Sequence, residues 1–108
     1  MLNIGTMNAY DPNGNSSNKI YKPSGELDAA ALIVTGFGIV GALIATTDGI
    51  NDALLICYDG TDTNGTIVAR CPVKGTDTIG GMVIPFRVAN GIYCTITGTG
   101  AKYHVYYL

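Results

Sequence analysis

The stretch ALIVTGFGIVGALIATTDGINDALLICYD, residues 31–59, constrains the fold more than any other part of the chain. An apolar run leads into Gly36, Gly38 and Gly41, spaced as in the dinucleotide-binding loop G-x-G-x-x-G, and Asp59 closes a second apolar run. A Rossmann unit would require Gly38 to Asp52 to form a helix packed on a parallel sheet, with further βα units to extend it. That interval instead holds Ile39, Val40, Ile44, Thr46 and Thr47, all stiff at χ1, and reaches a Thr-Asp-Gly breaker after about two turns. Beyond Asp59 no segment carries a helical stripe, so the right-handed crossovers of a doubly wound sheet have no source. The competing reading makes Ala29 to Thr35 a strand, Gly36-Phe37-Gly38 a bend or bulge, Ile39 to Thr46 a strand, and Asp48-Gly49 a turn into a strand from Ala53 to Asp59. The glycines then serve turns and bulges. Nucleotide binding through Gly36, Gly38 and Gly41 is left as a distant alternative, because the strand-to-helix setting of the motif is missing.

The remainder of the chain continues in the same style. Thr66 to Val73 alternates, with Ile67, Ala69, Cys71 and Val73 on one side, and Pro72 places that end at a sheet edge or a bulge. ALLICYD before it is apolar on both faces, as in a central strand buried twice or one face of a subunit contact, and DGTDTNG between them reads as a hairpin loop. From Met82 onward the pattern predicts a three-strand meander. Met82, Ile84, Phe86 and Val88 share a face, Asn90-Gly91 supplies a type I′ turn, Ile92, Cys94 and Ile96 alternate on the return, and Gly98-Thr99-Gly100 leads to AKYHVYYL. The expected architecture is all-β: an antiparallel, jelly-roll-like β-sandwich of about seven to eight strands over residues 25–108. Residues 1–24 precede it as an irregular arm, five asparagines falling within the first eighteen residues.

A chain of 108 residues makes one domain with room for a core. Six Lys and Arg against eight Asp and Glu give a net charge of -2, which argues against a nucleic-acid partner, since phosphate binding wants a basic face. Only 13% of residues are charged while mean hydropathy is positive, a balance that favours association into a homo-oligomer. Ala29 to Ala45, the longest mainly apolar stretch, is interrupted by glycines and falls short of the ~20 residues of a membrane span. The N-terminus lacks the basic and apolar regions of a signal peptide. Cys57, Cys71 and Cys94 have no C-x-x-C spacing and lie in apolar runs, where a thiol is a small buried hydrophobe; a reducing compartment follows.

Catalytic chemistry finds little footing in these residue types. His104 is the only histidine, on the polar side of the last strand, and the three serines near the N-terminus sit in no G-x-S-x-G elbow. Asp59, Asp62 and Asn64 resemble part of a calcium loop, but Gly60 stands where its first carboxylate should be and no Glu closes it, so they are weak metal candidates beside a plain Asx turn. No cofactor is implied. Tyr103, Tyr106 and Tyr107 suit either a sugar-stacking surface or a subunit contact.

The segments GALIATTDG, LLICYDGTDTNGT, IPFRVANGIYCTITGTGA and the terminal VYY resemble a group of small β-sandwich proteins encoded among the structural genes of tailed bacteriophages, over roughly Gly25 to Leu108. The resemblance implies a non-enzymatic auxiliary virion protein, of the capsid decoration, head-fibre or adaptor kind, assembled in the host cytoplasm. Its partners would be copies of itself, as a trimer or pentamer, and major capsid or other virion proteins, with no nucleic acid or membrane involved. The Asn-rich arm departs from the group's pattern. Expected contact residues are Leu55 and Cys57, the strand residues Tyr103, Tyr106 and Tyr107, and Leu2, Ile4 and Tyr10 of the arm. A carbohydrate-binding, receptor-directed sandwich is the alternative.

Overall fold

The computed structural model describes residues 20–108. Nine strands follow one another: β1 (Lys22–Pro23), β2 (Ala31–Thr35), β3 (Gly38–Thr46), β4 (Ala53–Asp59), β5 (Thr66–Val73), β6 (Ile79–Met82), β7 (Phe86–Val88), β8 (Gly91–Thr97) and β9 (Lys102–Tyr107). Among the described residues there is no α-helix, only a 3-10 turn at Gly75–Asp77, and none long and apolar enough to cross a membrane. The fold is an antiparallel β-sandwich, as the glycine-broken apolar runs predict. β1 falls within the stretch read as arm, where its two residues pair with Tyr106 and Tyr107.

In the first sheet the order is β1-β9-β3, with β7 and β6 lying end to end along the far side of β3. The second sheet runs β2-β8-β4-β5, so Pro72 lies on an edge strand, where its missing amide donor is tolerated. Their facing sides bury Val40, Leu43, Ala45, Tyr103 and Val105 against Leu55, Cys57, Cys71, Val73, Ile92 and Cys94. β3 contributes through a bulge. Val40 faces Tyr107 while Ala42 faces Tyr106, so Gly41 is an extra residue and Val40 and Leu43 both point inward although three positions apart.

Three expectations fail. Ile67 does not share the inward side of Ala69, Cys71 and Val73: Cys57 faces Ala69 while Tyr58 faces Ile67, so Val68 is an extra residue and Ile67 turns to the outer face, 39% exposed. Met82 to Val88 is not one strand: Val83, Ile84 and Pro85 leave the sheet, and Ile84, expected inward, is 68% exposed. β3 offers only Gly41 and Ala42 between the residues paired with Met82 and Phe86, so three residues must span two, and Pro85 has no amide to rejoin the ladder. Nor do the last strands form a meander, because β7 and β9 belong to the first sheet and β8 to the second. A type I′ turn needs positive φ at both central residues, and of Asn90 and Gly91 only Gly91 has it. The pair is a corner between sheets, and Gly98 to Gly100 makes the return crossing.

Candidate functional site

Alternation along β4 sends Ala53, Leu55 and Cys57 into the core and leaves Leu54 and Ile56 half-buried on the opposite side. Registers on both flanks then fix what lies beside them. Across the outer face of the second sheet run three rows: Leu32, Tyr93, Tyr58 and Ile67; then Thr95, Ile56 and Arg70; then Thr97, Leu54 and Pro72. The rings of Tyr58 and Tyr93 meet with centroids 6.0 Å apart and planes tilted by 56°, an arrangement aromatic pairs favour. Leu32 and Ile67, at the two ends of the first row, remain 46% and 39% exposed. Arg70 is the one charge in these rows. Such a face holds no acid, base or nucleophile, and its chemistry is that of apolar contact framed by threonine hydroxyls.

Several expected contact residues lie elsewhere. Leu55, Cys57 and Tyr103 are fully buried between the sheets, so none can face a sister subunit; the inward phase of their strands claims them for the core. Tyr103 donates its hydroxyl to the Ala29 carbonyl at 2.8 Å, and burial pushes that phenol well above its ordinary value. Tyr107 is half-buried and packs on the core, whereas Tyr106 points outward from the first sheet, stacked on His104 with centroids 6.3 Å apart. Leu2, Ile4 and Tyr10 lie outside the described residues. The outer-face residues Leu54, Ile56 and Tyr58 escape sequence reading because ALLICYD is apolar in both phases. The signal was in β8, whose alternation sets Tyr93, Thr95 and Thr97 apart from Ile92, Cys94 and Ile96.

The weak cation candidates serve the backbone. Asp59 accepts the amides of Asn90 (2.8 Å) and Ala89 (3.1 Å), bracing the corner into β8, and those two bonds, Asn90's first, hold its carboxyl below the usual carboxylate range. Asp62 accepts the Asn64 amide at 2.8 Å. Among the described residues no three His, Cys, Asp or Glu side chains gather as a metal site would require. At the other end Asp52, Pro72, Lys74 and Asp77 line a shallow cleft, all four exposed. The G-x-G-x-x-G glycines open a strand, so no helix N-terminus stands behind them to receive a pyrophosphate.

Inside the sandwich, Cys57 of β4 stands directly opposite Cys94 of β8, and Cys71 of β5 opposite Leu55; all three thiols are free and buried. Hydrogen bonding to Cys57 and then burial raise Cys94, the same bond lowers Cys57, and burial raises Cys71.

Comparison of the chain with protein-family models, with curated proteins and with solved structures finds no match.

Proposed function

We propose that this chain is a non-enzymatic structural subunit of a tailed-bacteriophage virion, of the capsid decoration or auxiliary class. It acts by associating with copies of itself and by binding major capsid or other virion proteins, in a particle assembled in the host cytoplasm. The observation that carries this reading is the outer face of the second sheet, where exposed Leu32 and Ile67 and half-buried Leu54, Ile56 and Tyr93 surround a buried Tyr58 in three rows that hold a single charge. A face of that composition gains by being covered. The resemblance of residues 25–108 to small phage sandwich proteins supplies the setting. Sedimentation of the purified chain, alone and with capsids, tests the proposal. An oligomer that co-sediments with capsids is expected; a monomer at every concentration that ignores capsids overturns it.

A second reading, a carbohydrate-binding module, has the outward stack of His104 and Tyr106 in its favour, since a flat aromatic surface suits a sugar ring. On that reading Tyr106→Ala abolishes retention on a glycan array and leaves sedimentation unchanged.

A further inference from the structure

We propose that Cys57 and Cys94 are a redox pair that closes to an intrachain disulfide when the folded protein meets a peroxide. The argument begins with register. The two residues are directly opposed on neighbouring antiparallel strands, and both side chains enter the same core, each with no exposed surface. Opposed residues of an antiparallel pair have Cα atoms about 4.5 or 5.5 Å apart according to the type of pair. Either value lies inside the ~4.4–6.8 Å that disulfides span.

Cys71 is excluded as a partner by the same geometry. It opposes Leu55, which makes it the diagonal neighbour of Cys57, at about 7–8 Å. From Cys94 it is separated by the whole of β4, two strand spacings or about 9.5 Å. The sheet therefore offers one closable pair and one bystander. Contact between the two thiols lowers Cys57 and, with burial, raises Cys94, so the reaction is written with Cys57 as the sulfur that ionises first.

Because the pair is closed off from solvent, the oxidant must be close to water in size, as hydrogen peroxide is. The Cys57 thiolate attacks one peroxide oxygen, the O–O bond breaks, and the departing hydroxide takes a proton to become water, leaving a sulfenic acid. Cys94 sulfur, giving up its proton, then attacks the Cys57 sulfur; the S–O bond breaks and the second oxygen leaves as water. Two thiols and one peroxide become one disulfide and two waters, the sulfurs losing the two electrons that the peroxide gains. The new bond joins β4 to β8, the two central strands of the second sheet, and encloses β5, β6 and β7 between its ends. Cross-linking across so long a segment constrains the unfolded chain strongly.

The test uses the full-length chain, reduced and then exposed to hydrogen peroxide without denaturant. Free thiols are expected to fall from three to one, the mass to drop by two hydrogens, and digestion to yield a peptide containing Cys57 joined to one containing Cys94. The thermal midpoint should rise by roughly 10 °C, reversibly with dithiothreitol. Cys71→Ala should behave as the parent, and Cys94→Ala should form no cross-link; the peptide map of the parent decides the matter even if a variant folds poorly. Three thiols persisting in peroxide, a bond to Cys71 or between chains, sulfinic acid without a cross-link, or equally fast closure by the bulkier oxidised glutathione would each overturn the proposal.

Discussion

A methyl group added at Gly41 would sit 2.6 Å from ring carbons of Tyr21, closer than such atoms ever approach, so this position is glycine to seat an aromatic ring over the bulge of β3. Gly36, five residues earlier, takes φ +85° in the turn out of β2, and a Cβ at Gly38 would press on Ile92 and Val34 at 3.2 and 3.3 Å. Motif spacing thus arises from a turn, a core contact and a ring seat. Gly41→Val should expel Tyr21 or shift β3, at about 1–3 kcal/mol, the usual cost of overpacking; urea denaturation measures it, and an unchanged midpoint would remove the ring seat from the account. Asp59 gives a second test. Its folded-state carboxyl lies below the ordinary 3.8, so the stability it supplies is complete above that value and drains away as pH falls through the depressed one. Asp59→Asn should flatten the acid limb of stability against pH and lower the midpoint at neutral pH. A parent-like acid limb in this variant would mean that other carboxylates dominate.

On the scale of a strand, β4 separates two kinds of apolar residue that hydropathy treats alike. Leu55 is fully buried against the opposite sheet, and Leu55→Ala should cost about 2–5 kcal/mol through lost transfer energy and a cavity. Ile56, half-buried on the outer face, has no facing sheet among the described residues, and Ile56→Ala should cost well under half as much in the isolated subunit. Thermal melts of the two variants settle the phase, and equal losses would contradict it. Strand positions were legible in the sequence because β-branched runs end at Gly, Asn and Asp, and β4 and β5 fall where those stops place them. Partners were not. Local pattern cannot distinguish a turn that joins paired neighbours from a corner that carries the chain to the other sheet, and Asn90-Gly91 satisfies the composition of both. The corner is held by Asp59, Gly60 and Gly36, about thirty to fifty-four positions away in sequence, a dependence no window of neighbouring residues contains. The same limit hid the phase of ALLICYD, which β8 sets from outside the segment.

For the molecule as a whole, crossings between sheets leave the inner faces mutually satisfied, while apolar side chains stay exposed both on the outer face of the second sheet, at Leu32 and Ile67, and beyond it, at Ile50, Ile79, Val83 and Ile84. If subunits associate through that outer face, the contact is apolar and its response to conditions follows. Salt screens charges, and the face offers only Arg70, so the distribution of species in sedimentation velocity should be the same at low and at high ionic strength. Cooling weakens burial of apolar surface, so dissociation should increase toward the freezing point. Tyr93→Asp combined with Leu32→Asp places two like charges where the face would be covered; a buried unpaired carboxylate costs far more than an exposed one. The double variant should therefore sediment as a folded monomer at concentrations where the parent is oligomeric, with its thermal midpoint close to that of the parent monomer. Oligomers that survive the double substitution, or that come apart in salt, would move the contact away from this face, with the β1 edge or the His104–Tyr106 side of the first sheet as the surfaces to test next.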